Sequence, residues 1–220
     1  MSNPRFLKWL HRIGYICTAL VAVELAVVTY FDVWATLERH KAIAMQMEDT
    51  RTREGPLTGG NLVRADALAL LKPLPPLTAL GRDGLRFVSM PQLSRFYYAL
   101  SLASSSGDAE GVLIVTERLE SGKTNPTAQH FTMSRAAYTA LMADLDRQTD
   151  GFAGIDSGNF CMDGTAIAFE RIRGRHITSG IGNGGCFPHY RAISDKVRAA
   201  ILHIVTPSGP PIRGGWYPTE

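Results

Sequence analysis

Residues 13–31 read IGYICTALVAVELAVVTYF, an apolar run interrupted by a single charge, Glu24. This run constrains the chain more than any other feature. As a helix it extends roughly 28 Å, close to the thickness of a bilayer's hydrocarbon core. Trp9 precedes it, and Tyr30 and Trp34 close its far end. Amphipathic rings favour the membrane–water interface. The sequence therefore predicts one transmembrane helix.

The short flank before the run carries Arg5, Lys8 and Arg12 and no acidic residue. Basic residues in a short flank are retained in the cytoplasm, which puts the N-terminus inside and everything after Asp32 outside. A cleaved secretory signal is the competing reading. The run is longer than a usual signal core, it holds Glu24, and no small-x-small cleavage site follows it. An uncleaved signal anchor is the expectation.

Two features inside the span bear on partners. Gly14, Thr18, Ala22 and Ala26 recur at every fourth position and form a row of small residues that lets a second helix approach closely. Glu24 lies on the side of Cys17, Val21, Val28 and Phe31, away from that row. A carboxylate in hydrocarbon is costly unless it faces protein or is protonated. Together these predict protein neighbours on two sides of the helix. The span contains no histidine, so no haem or chlorophyll ligated from it is expected.

Beyond the span, neither Gly nor Pro occurs before Gly55, so the helix is expected to continue as a solvated stalk through 32–55. Gly55, Pro56, Gly59 and Gly60 then break it. Residues 56–84 read as a Pro/Gly-rich linker, with a short helix over 61–71 capped by Asn61. The folded domain is expected over 85–206. Phe96, Tyr98, Leu100 and Leu102 alternate with Tyr97, Ala99 and Ser101, a strand period. Further strands are predicted at 111–116, 128–133, 159–162, 165–172 and 175–179. Asp163-Gly164 and Arg173-Gly174 are predicted turns. Ser134 caps a helix to about 148, and a last helix spans 190–204. The predicted class is α+β: an N-terminal transmembrane helix, then an antiparallel-sheet domain with two packed helices. An extended tail, 207–220, carries Trp216 and Tyr217, which suit docking onto another protein.

Few residues suggest chemistry. Cys161 and Cys186 both fall in the distal domain, and outside the cytosol the simplest reading is a disulfide. A zinc site using Cys161, His176, Cys186 and His189, or a thiol nucleophile paired with His189, lacks a compact second ligand pair or a free cysteine. Gly180–Gly185 matches G-x-G-x-x-G, but no helix opens at once on it and no further strand follows. It reads as a flexible or positive-φ loop that recognises a ligand or is merely held by the disulfide. His130, Asp156, Asp163 and Glu170 read as solvated surface groups. No catalytic residue, metal or cofactor is assigned. With 23 basic and 20 acidic residues and no basic stripe interleaved with aromatics, nucleic acid is not an expected partner.

The architecture points to a non-catalytic, single-pass accessory subunit of an energy-transducing or other multisubunit complex in a bacterial inner membrane, for which a respiratory or photosynthetic complex is a natural host. Its partners would be the lipid bilayer and other integral membrane subunits, with the distal domain capping the complex in the periplasm. The bacterial assignment leans on the lack of an N-glycosylation acceptor, since Asn125 is followed by Pro126. A membrane-tethered periplasmic binding or sensor domain acting through 180–185 is the alternative, and a tethered hydrolase or metal protein a third.

Overall fold

The structure, a computed structural model, describes residues 4–92, 94–104, 107–119, 124–150 and 164–205. The chain divides into two compact units, Met1–Met45 and Gln46–Glu220.

The first unit belongs to a single helix, α1 (Pro4–Thr50). Proline is favoured at a first helical position, and none recurs before Pro56. Between His11 and Met45 the helix is long and apolar enough to cross a membrane. Its side chains are exposed, Tyr15 by 75%, Leu20 by 63% and Tyr30 by 66%. A helix so apolar has its ordinary place in lipid or against other apolar helices. The hydroxyls of Thr18, Thr29 and Thr36 donate back to the carbonyls of Gly14, Leu25 and Asp32 at 2.9, 2.7 and 2.7 Å. Each side chain is thereby satisfied within the helix, as hydrocarbon demands.

The second unit takes in the end of α1, followed by β1 (Arg53–Glu54), α2 (Leu62–Leu71), a 3-10 turn (Leu77–Leu80), β2 (Asp83–Pro91), β3 (Phe96–Ala103), β4 (Ala109–Arg118), β5 (Thr124–Met133), α3 (Arg135–Thr149), β6 (Thr165–Arg173), β7 (His176–Asn183) and α4 (Pro188–Val205). The strands form one antiparallel sheet in the order β1-β7-β6-β2-β3-β4-β5. This is the α+β architecture the sequence predicts.

Alternation along the strands sorts side chains into two layers. Leu85, Phe87, Tyr98, Leu100, Leu102, Leu113, Ile167 and Phe169 meet Tyr138, Leu141, Leu145, Tyr190, Val197 and Ile201 of α3 and α4. On the other face Val88, Met90, Ala99, Ile114, Ala168 and Ile181 meet Ala67 and Leu71 of α2 and Leu57 and Leu74 of its flanks. Each fully buried Leu or Phe contributes about 1.5–3 kcal/mol. Asn61 caps α2 as expected, its side chain accepting from the Arg64 N–H at 3.0 Å. Ser134 likewise caps α3.

The main departure from the sequence reading is β2, which occupies the middle of the sheet. It lies between β6 and β3 and is covered on both faces, so apolar residues occur at both parities and the expected alternation is missing. Segments read as stalk end and linker also join the domain: β1 pairs with β7, and α2 covers the sheet. The turn between β6 and β7 is Gly174-Arg175, with Gly174 at φ +67°, the glycine-favouring region its two-residue connection requires. The predicted strand at 159–162 and Asp163 lie outside the described residues.

Truncating Leu71, which is 1% exposed in the α2 layer, tests whether α2 belongs to the cooperative core. Leu71→Ala should lower stability by about 2–5 kcal/mol. The check is unfolding of the full chain in detergent followed by near-UV tyrosine circular dichroism. A loss below about 0.5 kcal/mol would mean that α2 is peripheral.

Candidate functional site

The groups with functional potential lie on α1 and in the sheet domain. On α1, Gly14, Thr18, Ala22 and Ala26 are exposed, and so is Glu24. At 100° per residue the small-residue row and Glu24 fall on well-separated sides. The Thr18 hydroxyl is turned onto the Gly14 carbonyl, so this row presents a narrow, satisfied ridge rather than a polar group in need of a partner. Cys17 is free and exposed on the Glu24 side.

In the domain, Glu170 is not the surface carboxylate the sequence suggests. It is 2% exposed. Its Oε2 accepts from Arg86 Nη1 at 2.9 Å, and its Oε1 accepts from the Leu57 N–H at 2.9 Å. Arg86 Nη2 also donates to the Leu71 carbonyl. Arg86 and Glu170 face each other across the β2–β6 ladder. One ion pair thus ties two central strands to the entry and exit of α2. All three contacts are charge-assisted, which is what a buried pair needs to stand, and Arg86 Nε is the donor left without a partner among the described residues.

The next residue, Arg171, points to the opposite face. Its Nε and Nη2 donate to the two Asp146 oxygens at 2.9 and 3.3 Å, and its Nη1 donates to Asp83 and the Ile172 carbonyl. Burial pulls the Arg171 pKa down, but the Asp146 and Asp83 carboxylates outweigh this and leave it raised. Arg171 therefore stays charged and holds α3 to β6. A cleft of about 600 Å³ opens beside this network, lined by Arg82, Asp83, Asp108, Glu110, Arg135 and Tyr138. Its carboxylates are largely committed to structure: Asp83 to Arg171, and Asp108 to the Arg135 N–H at 3.1 Å, at the start of α3. Burial, reinforced by the Asp83 charge, pushes the Tyr138 hydroxyl pKa up, so it remains protonated.

The first part of the glycine motif is strand rather than loop. Gly180 and Gly182 are strand residues of β7, and neither has a positive φ. A Cβ on Gly182 would sit 2.3 Å from the Tyr190 ring, and one on Gly180 would sit 2.6 Å from its hydroxyl. These glycines leave room for the Tyr190 ring to lie directly on the strand. The Tyr190 hydroxyl donates to the Thr50 carbonyl at 2.6 Å, and burial raises its pKa, so the donor persists. After the strand, Arg191 closes the turn from α4, donating to the Gly184 and Gly185 carbonyls at 3.0 and 2.9 Å. Packing thus explains Gly180 and Gly182, while Gly184–Cys186 form the turn that leads to α4. The alternation of small residues with Ile181, which is buried against the α2 layer, was the available signal for a strand.

Cys186 lies in the turn before α4, while Cys161 lies outside the described residues, as do Asp156, Trp216 and Tyr217. His189 is exposed near the start of α4, and His176 pairs with Glu54 at 3.3 Å. Among the described residues, no group of three or more His, Cys, Asp or Glu is placed to hold a metal ion. His130 is exposed on β5.

Two substitutions test these assignments. Glu170→Gln strands the Arg86 charge and should cost about 3–5 kcal/mol, while Glu170→Leu with Arg86→Met should recover most of it. Equal losses in the single and double variants would refute the pairing. Gly182→Ala should cost about 1–3 kcal/mol through overpacking against Tyr190. Gly59→Ala, with nothing within 4 Å of the new methyl, should stay within about 0.5 kcal/mol of the wild type. Thermal unfolding in detergent reads both.

A scan of family models, a search of curated proteins and a search of solved structures each return no match to this chain.

Proposed function

We propose that this chain is a single-pass, non-catalytic accessory subunit of a multisubunit complex in a bacterial inner membrane. In this reading α1 anchors it with the N-terminus in the cytoplasm, and the sheet domain caps the complex in the periplasm. The observation that carries the reading is the exposed apolar surface of α1, which bears a small-residue ridge on one side and Glu24 on another. A helix in lipid needs neither feature. A helix seated between two protein neighbours uses both, the ridge for close backbone approach and the carboxylate for a donor on the second neighbour. The domain supports the reading in a different way. Buried Glu170 and Arg171 are bound to Arg86, to backbone or to Asp146, which suits a rigid cap.

In the periplasm Cys161 and Cys186 would close a disulfide around a loop of about 25 residues, contributing a few kcal/mol. Alkylation of the unfolded, unreduced chain should then modify Cys17 alone. Modification of all three cysteines would overturn the disulfide and with it the oxidising-compartment assignment. Trp216 and Tyr217 are proposed to extend the docking surface.

The decisive experiment is gentle detergent extraction from native membranes, followed by a native gel and mass spectrometry of what migrates with the chain. A stoichiometric set of membrane subunits is expected, weakened or lost in Glu24→Leu. Migration without other subunits, unchanged in Glu24→Leu, would overturn the accessory-subunit reading.

A further inference from the structure

We infer that β5 is a self-pairing edge, through which two copies of this chain join their sheets into one. The orientation of its backbone follows from the ladder. The Arg118 N–H donates to the Arg95 carbonyl at 2.7 Å, so even-numbered residues of β4 direct their amides toward β3 and odd-numbered ones toward β5. The β4–β5 register pairs Val115 with Thr127 and Leu113 with Gln129. Odd-numbered residues of β5 are therefore consumed by β4. The amides of Thr124, Ala128, His130 and Thr132 face outward, and Pro126 falls at the one parity where its missing N–H costs the β4 ladder nothing.

Among the described residues nothing pairs with that outward row, and the sheet ends there. The opposite edge, β1, is two residues long, so β5 is the long edge of the sheet. Exposed edges are ordinarily guarded by charged side chains, proline, bulges or shortness, and of these β5 carries only Pro126. From Thr124 to Met133 the strand contains no Lys, Arg, Asp or Glu, and it pairs with β4 without a bulge. Its exposed residues are small or uncharged: Thr124, Asn125, Pro126, Thr127, Ala128, His130 and Thr132.

A second copy is the occupant that such an edge fits best. Antiparallel pairing of a strand with itself is symmetric, and a neutral strand meets no like charge in its twin. With the axis through Ala128, Thr124 of one copy faces Thr132 of the other, and Pro126 faces His130. Every outward N–H then meets a carbonyl, and Pro126 still accepts. The central pair is alanine on alanine, which lets the backbones close to sheet spacing.

The inference is independent of the host complex, and the charge variants that test it leave α1 untouched. The full chain is reconstituted in lipid nanodiscs and examined by native mass spectrometry. The wild type should show dimers. Ala128→Lys, an exposed position on the strand, places like charges opposite each other and should reduce the dimer fraction roughly tenfold or more. Mixing Ala128→Lys with Ala128→Glu should restore dimers that contain one of each. A second measurement covers a folding defect: in a Cys17→Ser background, Ala128→Cys should cross-link to a second copy, and Arg175→Cys, in the β6–β7 turn, should not. A wild type that stays monomeric, a dimer undiminished in Ala128→Lys, or Ala128→Cys cross-linking to a different protein would each overturn the proposal.

Discussion

Glu170 and Arg171 are consecutive residues on β6, so the strand's alternation sends them to opposite faces of the sheet. The carboxylate reaches Arg86 and the Leu57 amide in the α2 layer, and the guanidinium reaches Asp146 of α3. Both are nearly inaccessible to water, so each requires its partner: a buried charge left alone costs several kcal/mol. The three-layer arrangement hangs on this pair. Hydrophobic contacts supply most of the burial energy, but they are non-directional. The two ionic clasps fix where α2 and α3 sit along the sheet, because a slip of one residue on β6 would send each charge to the wrong layer.

Much of this was legible in the sequence, and the exceptions have physical causes. β3 was readable because its two faces differ in size: Phe96, Tyr98, Leu100 and Leu102 on the α3–α4 side, and Tyr97, Ala99 and Ser101 on the side that α2 covers. β2 was not, because Leu85 and Phe87 on one face are matched by Val88 and Met90 on the other. Glu170 looked like a surface acid because nothing local marks burial. Its partners are Arg86, 84 residues away, and the Leu57 amide, 113 residues away. The glycines of β7 suggested a loop because glycine is ambiguous between positive φ and close approach. Only Tyr190, which no spacing rule connects to them, resolves it. The caps of α2 and α3 were visible because they are local.

The two units differ in how they meet their polar requirements. Along α1, Thr18, Thr29 and Thr36 serve themselves, each hydroxyl donating to the carbonyl four residues back, so that the apolar surface carries little unmet polarity besides Glu24. In the sheet domain, ionisable side chains are satisfied across long stretches of sequence. A chain built this way leaves its exposed surface on α1 and on the sheet's edge, while the interior of the domain is occupied with holding itself together.

The long-range clasps also set an order of assembly. Thr50 and Leu57 leave the ribosome early, yet the groups that hold them, Tyr190 and Glu170, follow 140 and 113 residues later. Loop closure over such distances is slow, and strand pairings of this kind form late. The segment joining α1 to the sheet therefore waits, its apolar residues Leu57, Leu71 and Leu74 uncovered, until β6, β7 and α4 have been made. During that interval the nascent domain has an open apolar face, the kind of transiently exposed surface that chaperones cover.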